Sequence, residues 1–245
     1  MAINEKVMLI TGAARRIGAQ LAQFAHTDGY NIVLHYRQSQ KQTQVLKQQL
    51  NNIRSNSCIL VQADFEKSTS FATLINEVVS AFGRLDVLVN NASEFTPTNL
   101  SELNDNDYNG LFNSNVRGPL FLSKTCFPEL NKTKGSIINM VDIHADKPLK
   151  NYPVYSMAKA ANKMMVQALA KEYAPNVRVN GVSPGCILWP DNSLTKQQRS
   201  DIVSRIALAR KGNVSHIYQT IRMLIKNDYI TGQIINVDGG RSLNM

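Results

Sequence analysis

The chain has 245 residues, 43% of them hydrophobic, and a formal net charge of +9, which is enough apolar content for one large α/β core. It holds no run of the roughly 18 apolar residues a membrane helix needs, and Glu5 and Lys6 stand where a signal peptide would place its apolar stretch, so a cytoplasmic protein with no membrane partner is expected. Cys58, Cys126 and Cys186 are odd in number and outside any CxxC pairing, the four histidines (His26, His35, His144, His216) lack ligand spacing, and the basic residues form no long run; no disulfide framework, metal or specific nucleic-acid recognition is expected.

The first element is VMLIT (7–11), a strand, followed by the turn TGAARRIG (11–18) and helical spacing from Ala19 to Ala25. Gly12 and Gly18 suit a turn in which backbone approaches a pyrophosphate, although two glycines also suit an ordinary strand-to-helix loop. Arg15 and Arg16 are either exposed helix-start residues or donors to an anion; cations are unfavourable at a helix N-terminus unless an anion sits there.

Strands are predicted next at NIVLHY (31–36), CILVQA (58–63), LDVLVN (85–90), SIINMV (136–141), VRVNGV (177–182) and QIINVD (233–238). Six intervening segments carry helical spacing, as in Leu46, Leu50 and Ile53, or Phe71, Leu74, Ile75 and Val78. Near-continuously apolar strands alternating with helices predict a doubly wound α/β fold, one domain over 1–245, with a seven-stranded parallel sheet flanked by helices. Cys58 reads as a small buried hydrophobe, while Cys186, after a Pro-Gly turn, could line a site. The irregular stretch from 186, which contains Pro190, Asp191 and Asn192, predicts a substrate loop reaching to about 210 near the strands' carboxyl ends.

At the end of the second strand HYRQSQ (35–40) offers no acid for a ribose 2′-hydroxyl, whereas Arg37 and Ser39 suit a 2′-phosphate and Arg15 can approach it, which predicts NADPH. Tyr155 and Lys159 lie one helical turn apart, a spacing at which an ammonium is expected to favour tyrosinate and lower the phenol pKa. Thirteen residues before Tyr155 stands Asp142: either a cap for the turn after SIINMV, or a partner for a ring nitrogen or amino group.

With NNAS (90–93), Asn115, YSMAK (155–159), PG (184–185) and VDGG (237–240) in order, the chain resembles the short-chain dehydrogenase/reductases over nearly its whole length. TGAARRIG, HYRQS, NNASEFTPT, INMVD and YPVYSMAKAA resemble the motifs of the pteridine reductase group. The resemblance implies a Rossmann fold and an NADPH-dependent reductase that transfers hydride to a C=N bond of a dihydropterin (dihydrobiopterin, dihydromonapterin or dihydrofolate type). It implies catalytic roles for Asp142, Tyr155, Lys159 and Asn115, the last positioning Lys159 through water. Arg16, Ser93, Phe95 and Tyr155 would bind the pterin, whose ring would lie between the nicotinamide and the Phe95 phenyl.

For the cofactor, the resemblance implies Gly12, Arg15, Arg16, Ile17 and Gly18 in the first turn and His35, Tyr36, Arg37 and Ser39 after the second strand. Asp64 would meet the adenine amino group with Phe65 beside it, and Asn91 and Ala92 the adenosine ribose. Ser93, Tyr155, Lys159, Pro184 and Gly185 would complete the site. A homotetramer packed through the helices carrying Asn115 and Tyr155 is also implied. The wider superfamily usually has glycine at the position of Arg16 and serine at that of Asp142; pteridine reductases share the arginine and aspartate. Trp189 has no matching position. A general reductase of 3-oxoacyl or other carbonyl substrates is the rival reading, against which Asp142 argues; a non-catalytic NADPH-binding regulator is another, against which Asn115, Tyr155 and Lys159 argue.

Overall fold

The computed structural model describes residues 5–67, 69–189 and 194–245. Seven strands, β1 (Val7–Ile10), β2 (Asn31–Tyr36), β3 (Cys58–Gln62), β4 (Val87–Asn90), β5 (Ser136–Met140), β6 (Arg178–Pro184) and β7 (Ile234–Val237), form one sheet in the order β3-β2-β1-β4-β5-β6-β7. Every neighbouring pair is parallel, so every connection is a crossover. The helices that make those crossovers are α1 (Arg16–Thr27), α2 (Gln40–Ile53), α3 (Thr69–Phe82), α4 (Asp105–Phe112), α5 (Gly118–Thr133), α6 (Pro153–Tyr173), α7 (Lys196–Ser204) and α8 (Val214–Lys226).

Side chains alternate across a strand, and the two faces of the sheet therefore own separate cores. Val7 and Leu9 pack with Leu74, Val78, Leu122, Leu130 and Val166 of α3, α5 and α6. Met8 and Ile10 pack with Leu21, Leu46, Leu50, Ile217 and Ile221 of α1, α2 and α8. Cys58 is buried in the second core, as its apolar neighbours predicted. Ile53 departs from its helical pattern: as the last residue of α2 it is 77% exposed, beyond the reach of the sheet.

The strand order reverses between β1 and β4, which leaves a crevice at their carboxyl ends. Two departures from the sequence reading touch that crevice. Asn113–Arg117 form a π-helical turn between α4 and α5. The region expected as an irregular substrate loop contains α7, begun by a Thr195–Gln198 capping box and burying none of its residues. Pro190, Asp191 and Asn192, assigned to that loop, lie outside the described residues. Among the described residues no helix is long and apolar enough to cross a membrane.

Candidate active site

A cleft of about 570 Å³ opens at the carboxyl ends of β1, β2 and β4. Its floor is the β1–α1 turn. Gly12 has φ +62°, and a Cβ there would stand 2.9 Å from the Ala92 Cα; one on Gly18 would stand 2.4 Å from the Gly12 carbonyl oxygen. Both glycines are needed for backbone to pack this closely. Asn91 then ties the turn to β4: its amide donates to the carbonyl oxygens of Thr11 (2.8 Å) and Gly12 (3.2 Å). The backbone N–H groups of Asn91 and Ala92 both donate to the Thr11 hydroxyl at 2.9 Å.

His35, at the end of β2, is 3% exposed and braces the same turn. Its Nδ1 accepts from the Gly12 N–H at 3.3 Å, its Nε2 lies 3.0 Å from the Ala63 carbonyl, and its ring stacks on Phe65 at 4.5 Å. That pairing requires the neutral ring protonated on Nε2. Burial lowers its pKa to about 4.

Arg15, Arg16, Ile17, Tyr36, Arg37, Ser39 and Asp64 line the rest of the cleft. The Arg37 guanidinium lies 3.9 Å from Glu66, both half exposed, a weak pair that leaves it able to meet an anion. Arg16 sits at φ +54°, the left-handed region that favours glycine. Its guanidinium donates to the Trp189 carbonyl at 3.1 Å, and the Trp189 ring carries the Arg199 guanidinium 5.4 Å from its centroid. Trp189, which had no assignable position, thus joins the first turn to α7.

These features fit a dinucleotide with a 2′-phosphate: two glycines under a helix N-terminus, three arginines in the cleft, and no acid at the end of β2.

The cleft wall ends at Ser93, Phe95, Asn113 and Ser114; Asp142, Tyr155, Lys159 and Asn115 are not among its lining residues, and neither are Pro184 and Gly185. Phe95 bridges to the first group. Half exposed, it meets the Tyr155 ring edge-on at 4.7 Å and stacks on Tyr152 at 4.4 Å. Tyr152, the residue that precedes α6, was missed in the sequence; an aromatic three residues before Tyr155 was the available signal.

Asp142 is the cap that one reading expected, and its second oxygen is held by a protein hydroxyl. Its Oδ1 accepts from the His144 N–H at 2.9 Å, capping the turn after β5, while its Oδ2 accepts from the Tyr155 hydroxyl at 2.8 Å. The expectation for the tyrosine is corrected: burial first, then the charge and hydrogen bond of Asp142, raise the Tyr155 pKa well above 10. Lys159 does not offset this. Its Nζ donates to the Met140 carbonyl at 2.9 Å and stays 5.7 Å from the Tyr155 ring centroid, and burial lowers its own pKa to about 8. Asn115, fully buried in the π-helical turn, accepts a hydrogen bond from Ser93 on its Oδ1 at 2.7 Å.

A family model described as enoyl-(acyl carrier protein) reductase matches residues 12–242. Pteridine reductase 1 of Leishmania tarentolae is 35% identical, with 97% of this chain and 96% of the relative aligned. An uncharacterized oxidoreductase of Methylorubrum extorquens is 31% identical over 97% of this chain and 98% of its own length. A 3-oxoacyl-[acyl-carrier-protein] reductase of Staphylococcus aureus is 30% identical over 96% and 97%.

Proposed function

The chain belongs to the short-chain dehydrogenase/reductase family and is an NADPH-dependent oxidoreductase, and we propose that the bond it reduces is a C=N bond of a dihydropterin. The observation that carries this reading is the 2.8 Å hydrogen bond from Tyr155 to Asp142. NADPH bound in the cleft supplies the hydride. The residues of the chain then have to orient the acceptor and manage one proton.

Tyr155 holds that proton. With its pKa raised, it is a neutral donor across the physiological range, not a tyrosinate base. Beside it Asp142 offers a carboxylate. Next to a ketone, a carboxylate would oppose the negative charge that develops on oxygen; next to an amino-substituted ring it accepts an N–H. Phe95, backed by Tyr152, gives a flat ring a stacking surface, and Arg16 places a planar guanidinium in the same cleft. Arg37 and Ser39 receive the 2′-phosphate in this reading.

Reduction of a 3-oxoacyl thioester is the second reading, favoured by the description of the family model and by the Staphylococcus aureus relative. NADPH oxidation by the purified protein with dihydrobiopterin or dihydromonapterin, run beside an acetoacetyl thioester, separates the two. The pterin reading expects turnover with the pterin at least a hundredfold more efficient; turnover confined to the thioester rejects it. We also propose assembly into a homotetramer through α5 and α6, where Leu120, Phe121, Met157 and Met164 are exposed.

A further inference from the structure

The carboxyl ends of β2 and β3 lie side by side, with Tyr36 in register with Gln62. The segments that follow them therefore share one end of the cleft, which Arg37 and Ser39 line from the first and Asp64 and Glu66 from the second. An acid at the end of β2 is the usual mark of a site for a free ribose 2′-hydroxyl. In this chain the end of β2 is basic, and the acid enters from the neighbouring strand. With Arg15, this end of the cleft carries two positive and two negative side chains, where a site made for a phosphate dianion alone has use only for the positive ones.

Main-chain N–H groups place Glu66. Asp64 Oδ1 accepts from the Glu66 N–H at 3.2 Å and the Asp64 carbonyl from the Lys67 N–H at 2.9 Å, while Gln62 Nε2 donates to the Arg37 carbonyl at 2.9 Å. The turn uses the N–H of residue 66, which any residue but proline supplies, and not its carboxylate. That carboxylate stands 3.9 Å from the Arg37 guanidinium, with both side chains just over half exposed, a pair worth little to the fold. Its position matters for what Arg37 can do. A 2′-phosphate arriving at Arg37 has to displace Glu66, whereas a ribose 2′-hydroxyl can donate to the carboxylate and leave the pair in place.

We propose that Glu66 sets the cofactor preference: it is the counter-ion of Arg37 that a 2′-phosphate displaces, and it accepts the ribose hydroxyl of NADH, which the enzyme takes as a second cofactor. The proposal rests on the assignment of Arg37 to the 2′-phosphate and is independent of the substrate. The arginines keep NADPH the tighter ligand, and Glu66 narrows the margin, since it opposes one cofactor and rewards the other.

The test is calorimetric titration of the full chain with NADP+ and with NAD+, so that binding is read without turnover. Wild type is expected to bind both, NADP+ more tightly. Glu66→Gln is expected to bind NADP+ about fivefold more tightly and NAD+ about threefold more weakly, a change of about fifteenfold in preference. The NADP+ gain should shrink at about 0.5 M salt, where exposed charges are screened. Glu172→Gln, which removes the same charge from the end of α6, is expected to change neither affinity. In a double-mutant cycle Arg37→Gln is expected to weaken NADP+ at least tenfold and to abolish the gain from Glu66→Gln. Unchanged affinity for either cofactor in Glu66→Gln, the same NADP+ gain in Glu172→Gln or in the Arg37→Gln background, or no NAD+ binding by wild type would each overturn the proposal. NADP+ affinity that Arg37→Gln leaves intact would instead defeat the phosphate assignment, and the inference with it.

Discussion

Arg16 shows what a single residue costs and supplies. At φ +54° an arginine forgoes roughly 1–2 kcal/mol that glycine would not, and the strained residue is one of the three arginines that line the cleft. Arg16→Gly is accordingly expected to keep or slightly raise the thermal midpoint, although it loses the bond to Trp189, while raising the pterin KM at least tenfold; a lower midpoint with unchanged KM would contradict this. Lys159 gives a second prediction, in pH. Its folded pKa of about 8 lies below the ordinary lysine value, so between about pH 8 and 10 the native state binds fewer protons than the unfolded state and this contribution to stability rises with pH. Activity that uses the ammonium falls over the same window, so the rate profile and the urea midpoint should move in opposite directions above pH 8. The Tyr155–Lys159 spacing was legible because it is local, one turn of one helix. The direction of the tyrosine's shift was not, because it depends on burial and on Asp142, a partner from another element reached only after folding.

Elements were legible wherever burial is periodic. The seven strands fall within two residues of their apolar runs; the inner strands are buried on both faces of the parallel sheet, and the edge strands β3 and β7, only partly buried, still keep an apolar run. Helix α7 was hidden for the complementary reason: it buries nothing, so no apolar stripe marks it, and only the Thr195–Gln198 cap betrays its start. The π-helical turn at Asn113–Arg117 was equally silent, since one extra residue in a turn leaves no composition signal. The joint between β2, β3 and the first turn is acid-sensitive. His35 must be neutral to accept from Gly12, and with a folded pKa of about 4 the unfolded chain binds its proton first as pH falls below about 6.5. Stability is therefore lost progressively from about pH 6.5 to 4, by up to roughly 3 kcal/mol. The urea midpoint of His35→Gln is expected to fall less over that range than that of wild type; parallel curves would rule out this assignment.

At the scale of the molecule, the reversal of strand order between β1 and β4 gathers the first turn, the end of β2 and the segment after β4 around one cleft, while β5 and α6 bring Asp142 and Tyr155 to its far side. The exposed Phe121 on α5 and Met164 on α6 predict a concentration-dependent tetramer, and Phe121→Glu should shift sedimentation toward smaller species. The central claim concerns the substrate, and it turns on one carboxylate. The most direct measurement is NADPH oxidation with dihydrobiopterin and with an acetoacetyl thioester, for wild type and for Asp142→Ser. Efficient pterin turnover that falls at least a hundredfold in the variant, with NADPH affinity kept, is the predicted result. Wild-type turnover of the thioester alone, or a serine variant that reduces the pterin as well as wild type does, would contradict it.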